Sequence, residues 1–138
     1  MNKKAALEQL INALSGFEVH PRFLREMSDL LKGTLAGKER PFFELLRWQL
    51  TNVINFGVAV DSVDGNERLK GADGRFYSIH IHGAQFNVRL IVHISDSENP
   101  MLLCAFSEKS GKRHTDYSQY TSLMDDRYND LKGGETNE

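Results

Sequence analysis

The sequence predicts an α+β domain, on three observations. Apolar residues recur at helical spacing through the first 56 positions, the period drops to two between 76 and 94, and helical spacing returns near the C-terminus. At 138 residues, 40% hydrophobic and 26% charged, the chain has the length for one domain around a single core and an ordinary globular composition. That composition excludes wholesale disorder, and no apolar run suggests a membrane helix. The opening Met1-Asn2-Lys3-Lys4 leads into an amphipathic segment rather than an apolar run with a small-residue cleavage site. A signal peptide is therefore not expected, and a cytoplasmic location is.

Leu7, Leu10, Ile11 and Leu14 mark a first helix over about residues 3–14, which Ser15-Gly16 stops. Residues 17–20 read as a short extended piece, because the position before Pro21 is pushed out of helical geometry. Pro21 suits a first helical turn, and Leu24, Met27 and Leu31, flanked by Phe23 and Leu30, give the second helix its apolar face before Gly33 ends it. Gly37 and Pro41 punctuate the start of a third helix. Its stripe is Phe42, Leu46, Leu50, Val53 and Ile54, reinforced by Phe43, Trp48 and Phe56, and Gly57 closes it. Aromatics in such a stripe belong to a core rather than to base stacking. Residues 58–73 form a loop with room for a brief extended segment.

From Arg75 the pattern is that of half-buried strands: Phe76-Tyr77-Ser78-Ile79-His80-Ile81-His82 and Phe86-Asn87-Val88-Arg89-Leu90-Ile91-Val92-His93-Ile94. The intervening Gly83-Ala84 suits a two-residue type II′ turn, which makes opposed residue numbers sum to about 167. One face then collects Tyr77, Ile79, Ile81, Phe86, Val88, Leu90 and Val92 as core. The other sets Ser78, His80 and His82 opposite Arg89, Asn87 and Gln85, with Phe76 opposite Ile91. Exposed strands usually carry Lys, Glu and Thr; this face carries groups suited to proton transfer and anion binding. A strand apolar on both faces follows at 101–106 and is expected inside the sheet. Cys104 within it reads as a small buried hydrophobe without chemistry. Thr115 or Asp116 is expected to cap a last helix with Tyr117, Tyr120, Met124, Tyr128 and Leu131 on its apolar side, and 132–138 reads as a loose tail.

Charge is unevenly placed. Residues 1–67 carry 8 basic and 9 acidic side chains, 68–114 carry 7 and 4, and 115–138 carry 2 and 6, within a total of −2. The basic excess coincides with the strands and with Glu108-Lys109-Ser110-Gly111-Lys112-Arg113-His114. A metal site is not expected. His80 and His82 share a face, but His93 lies six residues beyond the partner of His80, about 20 Å at strand rise, so a third ligand is missing. Phosphate chemistry fits better. Cleaving RNA through its own 2′-hydroxyl needs a base, cations for the crowded phosphorane and an acid for the leaving 5′-oxygen. Arginine and lysine serve the second task; histidine or tyrosine moves protons. Arg89, Lys109, His80, His114 and Tyr117 are the catalytic candidates, with Lys70, Arg75, His82, Asn87, Lys112 and Arg113 as RNA-binding candidates. No cofactor is called for.

Taken in order, Arg68-Leu69-Lys70-Gly71, Phe76-Tyr77-Ser78-Ile79-His80-Ile81, Asn87-Val88-Arg89-Leu90-Ile91, the apolar strand at 102–106 and Lys109-Ser110-Gly111-Lys112-Arg113 before a C-terminal helix resemble the RelE/ParE toxin superfamily. The resemblance is to its HigB-like, phage-related branch and covers about residues 17–131. It implies helices packed on one face of a small antiparallel sheet, a cleft on the other and a C-terminal helix. It also implies ribosome-dependent mRNA cleavage and a cognate antitoxin, expected as a small helix-turn-helix protein. By position, Arg89 matches the strand arginine of that superfamily, Lys109 the second of its paired lysines, and Lys112 or Arg113 the basic residues beyond. The chain departs from the pattern at Glu108, where the first lysine is usual, and at His80, where arginine often stands. Its acidic net charge and additional first helix are further departures. A non-catalytic binding protein on the same scaffold, such as a topoisomerase inhibitor or a phage-derived interaction module, is the alternative.

Overall fold

The computed structural model describes residues 1–69, 74–108 and 120–136, the side chains of 134–136 excepted. Helix α1 (Lys3–Ala13) opens on Asn2, whose side chain accepts the Ala5 amide at 2.8 Å. Strand β1 (Glu18–Val19) leads into α2 (Pro21–Lys32), where His20 takes the capping place and its Nδ1 accepts the Arg22 amide at 3.0 Å. Helix α3 (Glu39–Phe56) begins two residues before Pro41, which the first turn tolerates because its amide would be unpaired there. Gly57, at φ 53°, ends it, and a 3₁₀ segment, Gly57–Ser62, takes the place of the first part of the expected loop. The remaining elements are β2 (Glu67–Arg68), β3 (Phe76–His82), β4 (Asn87–His93), β5 (Met101–Ser107) and α4 (Thr121–Thr136).

The fold is α+β. Among the described residues a five-stranded sheet runs in the order β1-β5-β4-β3-β2, antiparallel except where β1 lies parallel to β5. Helices α2 and α3 cover one face, α1 packs against them, and the main core lies between these helices and Tyr77, Ile79, Ile81, Val88, Leu90, Val92, Leu102 and Ala105. Among the described residues no helix is long and apolar enough to cross a membrane.

Two features depart from the sequence-based expectation and bear on the site. The β3–β4 partners sum to 169, not 167: His80 opposes Arg89, His82 opposes Asn87 and Phe76 opposes His93. The loop is four residues long because Phe86 is drawn into the core against Phe42, at 5.7 Å between ring centres, and its ring lies over Gly83. A Cβ on Gly83 would stand 2.5 Å from that ring. The shift is two residues, so every side chain keeps its expected face.

The second departure is a bulge in β5. Ile91 pairs with Cys104 but Val92 with Leu102, leaving Leu103 as the extra residue. Leu103 and Cys104 therefore both reach the second face, where with Met101, Phe76 and Ile91 they form a second core under Met124 of α4. The described helix starts at Thr121 and runs through Gly133 to Thr136, past the point where a loose tail is expected; the expected caps, Thr115 and Asp116, lie outside the described residues.

Candidate functional site

Helix α4 covers only one half of the second face. The half it leaves carries two rows of side chains across the strands: His80 beside Arg89 and Phe106, then His82 beside Asn87 and Glu108. The Phe106 ring, stacked on Tyr120 at 4.6 Å, marks the border with the helix-covered half.

Arg89 is the most constrained of these groups. Its Nε donates to Glu108 Oε1 at 3.1 Å, and its Nη1 donates to the Gly65 carbonyl at 2.8 Å, with Glu67 Oε2 at 3.7 Å. The side chains of Arg89 and Glu108 keep only 11% and 12% of their exposure, whereas Glu67 keeps 45%. His80 stacks on His82 with ring centres 5.2 Å apart, and its Nε2 is hydrogen-bonded to Asn87 Oδ1. Burial pushes the His80 pKa below its ordinary value; the Asn87 hydrogen bond opposes that shift, and the neighbouring Arg89 and His82 charges add to it. His82 is exposed.

His80 is held from below by a buried amide network. β2 pairs with β3 only at Ser78 and Tyr77, so the main chain of His80 has no strand partner on that side. Asn66 Oδ1 accepts the His80 amide at 2.9 Å and Gln49 Nε2 donates to the His80 carbonyl at 2.7 Å, taking the place of the missing ladder. The two amides also bond each other, at 3.0 and 3.1 Å, so α3 fixes both His80 and the loop that presents Gly65 to Arg89. Gln49 had a signal in the sequence, a polar residue in an apolar helical stripe; Asn66 and Glu67 had none.

Of the residues singled out from sequence, the fold brings His80, His82, Asn87 and Arg89 together. Arg75 stands apart, at the other end of β3, with its guanidinium carbon 5.5 Å from the centre of the Tyr128 ring. Lys70, Lys109, Lys112, Arg113, His114 and Tyr117 lie outside the described residues. Burial raises the Cys104 thiol to about 12, which leaves it no nucleophilic role. Among the described residues no group of three or more His, Cys, Asp or Glu is placed to hold a metal ion. No family model, curated protein or solved structure matches the chain.

Proposed function

We propose that this chain is a toxin of the RelE/ParE type that cleaves messenger RNA on the ribosome, and that the half-face left by α4 receives the scissile phosphate. The observation that carries the reading is the pairing of His80 with Arg89, in adjacent strands and beside His82 and Asn87. Arg89 offers a guanidinium to the phosphorane, where a planar fork of donors stabilises charge as it develops. Burial keeps His80 in the uncharged form a base requires. With Asn87 Oδ1 as acceptor, Nε2 carries the ring proton and Nδ1 keeps the lone pair. Gly65 leaves that nitrogen room, since a Cβ there would stand 3.2 Å from it. The base takes the 2′-hydroxyl proton as the 2′-oxygen bonds phosphorus. The bond from phosphorus to the 5′-oxygen then breaks and that oxygen is protonated, leaving a cyclic phosphate and a 5′-hydroxyl end. In this reading Lys109 supplies a second cation, and His114 or Tyr117 the acid.

Inducible expression tests the reading. The wild-type chain is expected to arrest growth and to cut messages on ribosomes, and the Arg89→Ala/Lys109→Ala variant to do neither. Wild-type expression without arrest or cleavage overturns it. One observation favours a second reading, a non-catalytic interaction module: Arg89 is already engaged by Glu108 and Gly65. Arrest with DNA-damage signalling and intact messages would select that reading, as a topoisomerase inhibitor.

A further inference from the structure

We infer that Glu108 is an internal occupant of the anion site on Arg89, a carboxylate that a phosphodiester must displace. The inference rests on the reading that this half-face binds RNA, and it goes beyond it by naming what holds the site before RNA arrives.

Three features of the geometry support displacement rather than a permanent tie. First, the hold is one-armed. Glu108 takes Nε of Arg89 at 3.1 Å, while Nη2, the other donor on the same edge of the guanidinium, makes no hydrogen bond among the described residues. A phosphate with two free oxygens engages both donors of that edge and therefore competes from a better geometry. Second, release leaves the sheet undisturbed. The Glu108 amide is fixed to the Asn87 carbonyl at 2.7 Å, so the carboxylate swings about its own bonds while the strands stay in place. Third, carboxylates already stand where a phosphate oxygen would come. Glu108 and Glu67 lie 3.1 and 3.7 Å from Arg89 donors, so a phosphate approaching the guanidinium meets like charge at close range until Glu108 leaves.

Glu108 is thus a positioning residue that sets the threshold for RNA rather than a group that reacts with it. Removing its charge is expected to tighten RNA binding, and to do so through Arg89. Glu67, at 3.7 Å and 45% exposed, is expected to have the same effect in weaker form.

The test uses the full chain and a fluorescently labelled single-stranded RNA, with affinity measured over a range of salt. Glu108→Gln is expected to bind roughly tenfold tighter than wild type. Its salt dependence is expected to steepen by about 0.7 in log K per log salt, the signature of one added phosphate contact on a single strand. Glu67→Gln gives a smaller gain, and Arg89→Ala/Glu108→Gln loses the gain. A gain that survives in the double variant is a general charge effect and overturns the inference. Should Glu108→Gln fold poorly, Glu108→Asp keeps the charge, shortens the reach by one methylene and is expected to fall between wild type and the glutamine variant. Phenylglyoxal uptake at Arg89, read by peptide mass spectrometry, follows the hold without RNA and is expected to rise several-fold in Glu108→Gln. Unchanged uptake overturns the hold. Raised uptake with no RNA binding by any variant supports the hold and overturns the RNA reading of the face, so the two failures are distinguishable.

Discussion

His80 condenses the logic of the site into one side chain. Its ring sits half-buried between Asn87 and His82 while its main chain is gripped by Asn66 and Gln49. A histidine whose folded pKa lies below its ordinary 6.5 binds its proton more weakly when folded than when unfolded. Above that value both states are neutral and the group is silent; as pH falls below it, the unfolded chain takes up protons first and stability is lost down through the folded pKa. Urea midpoints are therefore expected to fall as pH is lowered below about 6.5, and His80→Gln is expected to flatten that slope. Glu98, held below its ordinary 4.5 by Lys132, acts at lower pH and does not confuse the window. A slope that persists unchanged in His80→Gln assigns it to another group. The alternation of Phe76 to His82 made this face legible from sequence, because strand parity depends only on neighbours two apart. The pairing of His80 with Arg89 was not legible, since loop length was decided by Phe86 finding a place in a core that α3 builds.

At the scale of elements, the exposed side of β5 explains how α4 is attached. β1 pairs with β5 only at Met101 and Leu102, so the next main-chain groups lack a neighbour strand. Glu26 of α2 accepts the Ala105 amide at 3.0 Å, and Arg127 of α4 donates to the Leu103 carbonyl at 2.8 Å. The two side chains meet in a two-pronged pair, both bonds 2.9 Å, that joins α2 to α4 around the sheet edge. His20 and Asp130 add a second tie at 2.9 Å. Breaking the pair strands a charge and an orphaned backbone group together, so Arg127→Met is expected to cost about 3 kcal/mol by urea unfolding, with Glu26 at 30% exposure moderating the loss. An apolar double replacement, Glu26→Leu/Arg127→Met, is not expected to restore stability, because the Ala105 amide and the Leu103 carbonyl remain unsatisfied. Recovery in the double variant would place the energy in the ion pair rather than in capping of the edge. Sequence could not announce this clip: Glu26 and Arg127 are 101 residues apart and each reads as a surface charge on a helix.

Across the whole molecule, the sheet is a partition between two cores of different completeness. The strand alternation and most of the helical periodicity specified the larger one, because each element declares its apolar face locally. Ile11, Trp48, Ile54 and Phe56, expected in the helical stripes, are instead exposed, since a stripe wider than the helix contact leaves its margins in solvent. The smaller one depends on the bulge at Leu103, which turns two consecutive residues to the same side, and on a helix whose apolar side had to be matched to that patch. It follows that α4 is needed for the Phe76, Ile91, Leu103 and Cys104 patch but not for the His80 and Arg89 half-face beside it. A chain ending at residue 119 is expected to keep the main core and to uncover the patch. Cys104 reports the difference: burial holds its thiol at about 12 and 2% of its surface exposed, so the full chain is expected to resist a thiol reagent such as Ellman's at neutral pH. The shortened chain is expected to react at least tenfold faster and to bind a dye for exposed apolar surface. If Cys104 stayed protected in a folded shortened chain, the second core would not depend on α4, and the division of that face into a covered half and a binding half would have to be redrawn.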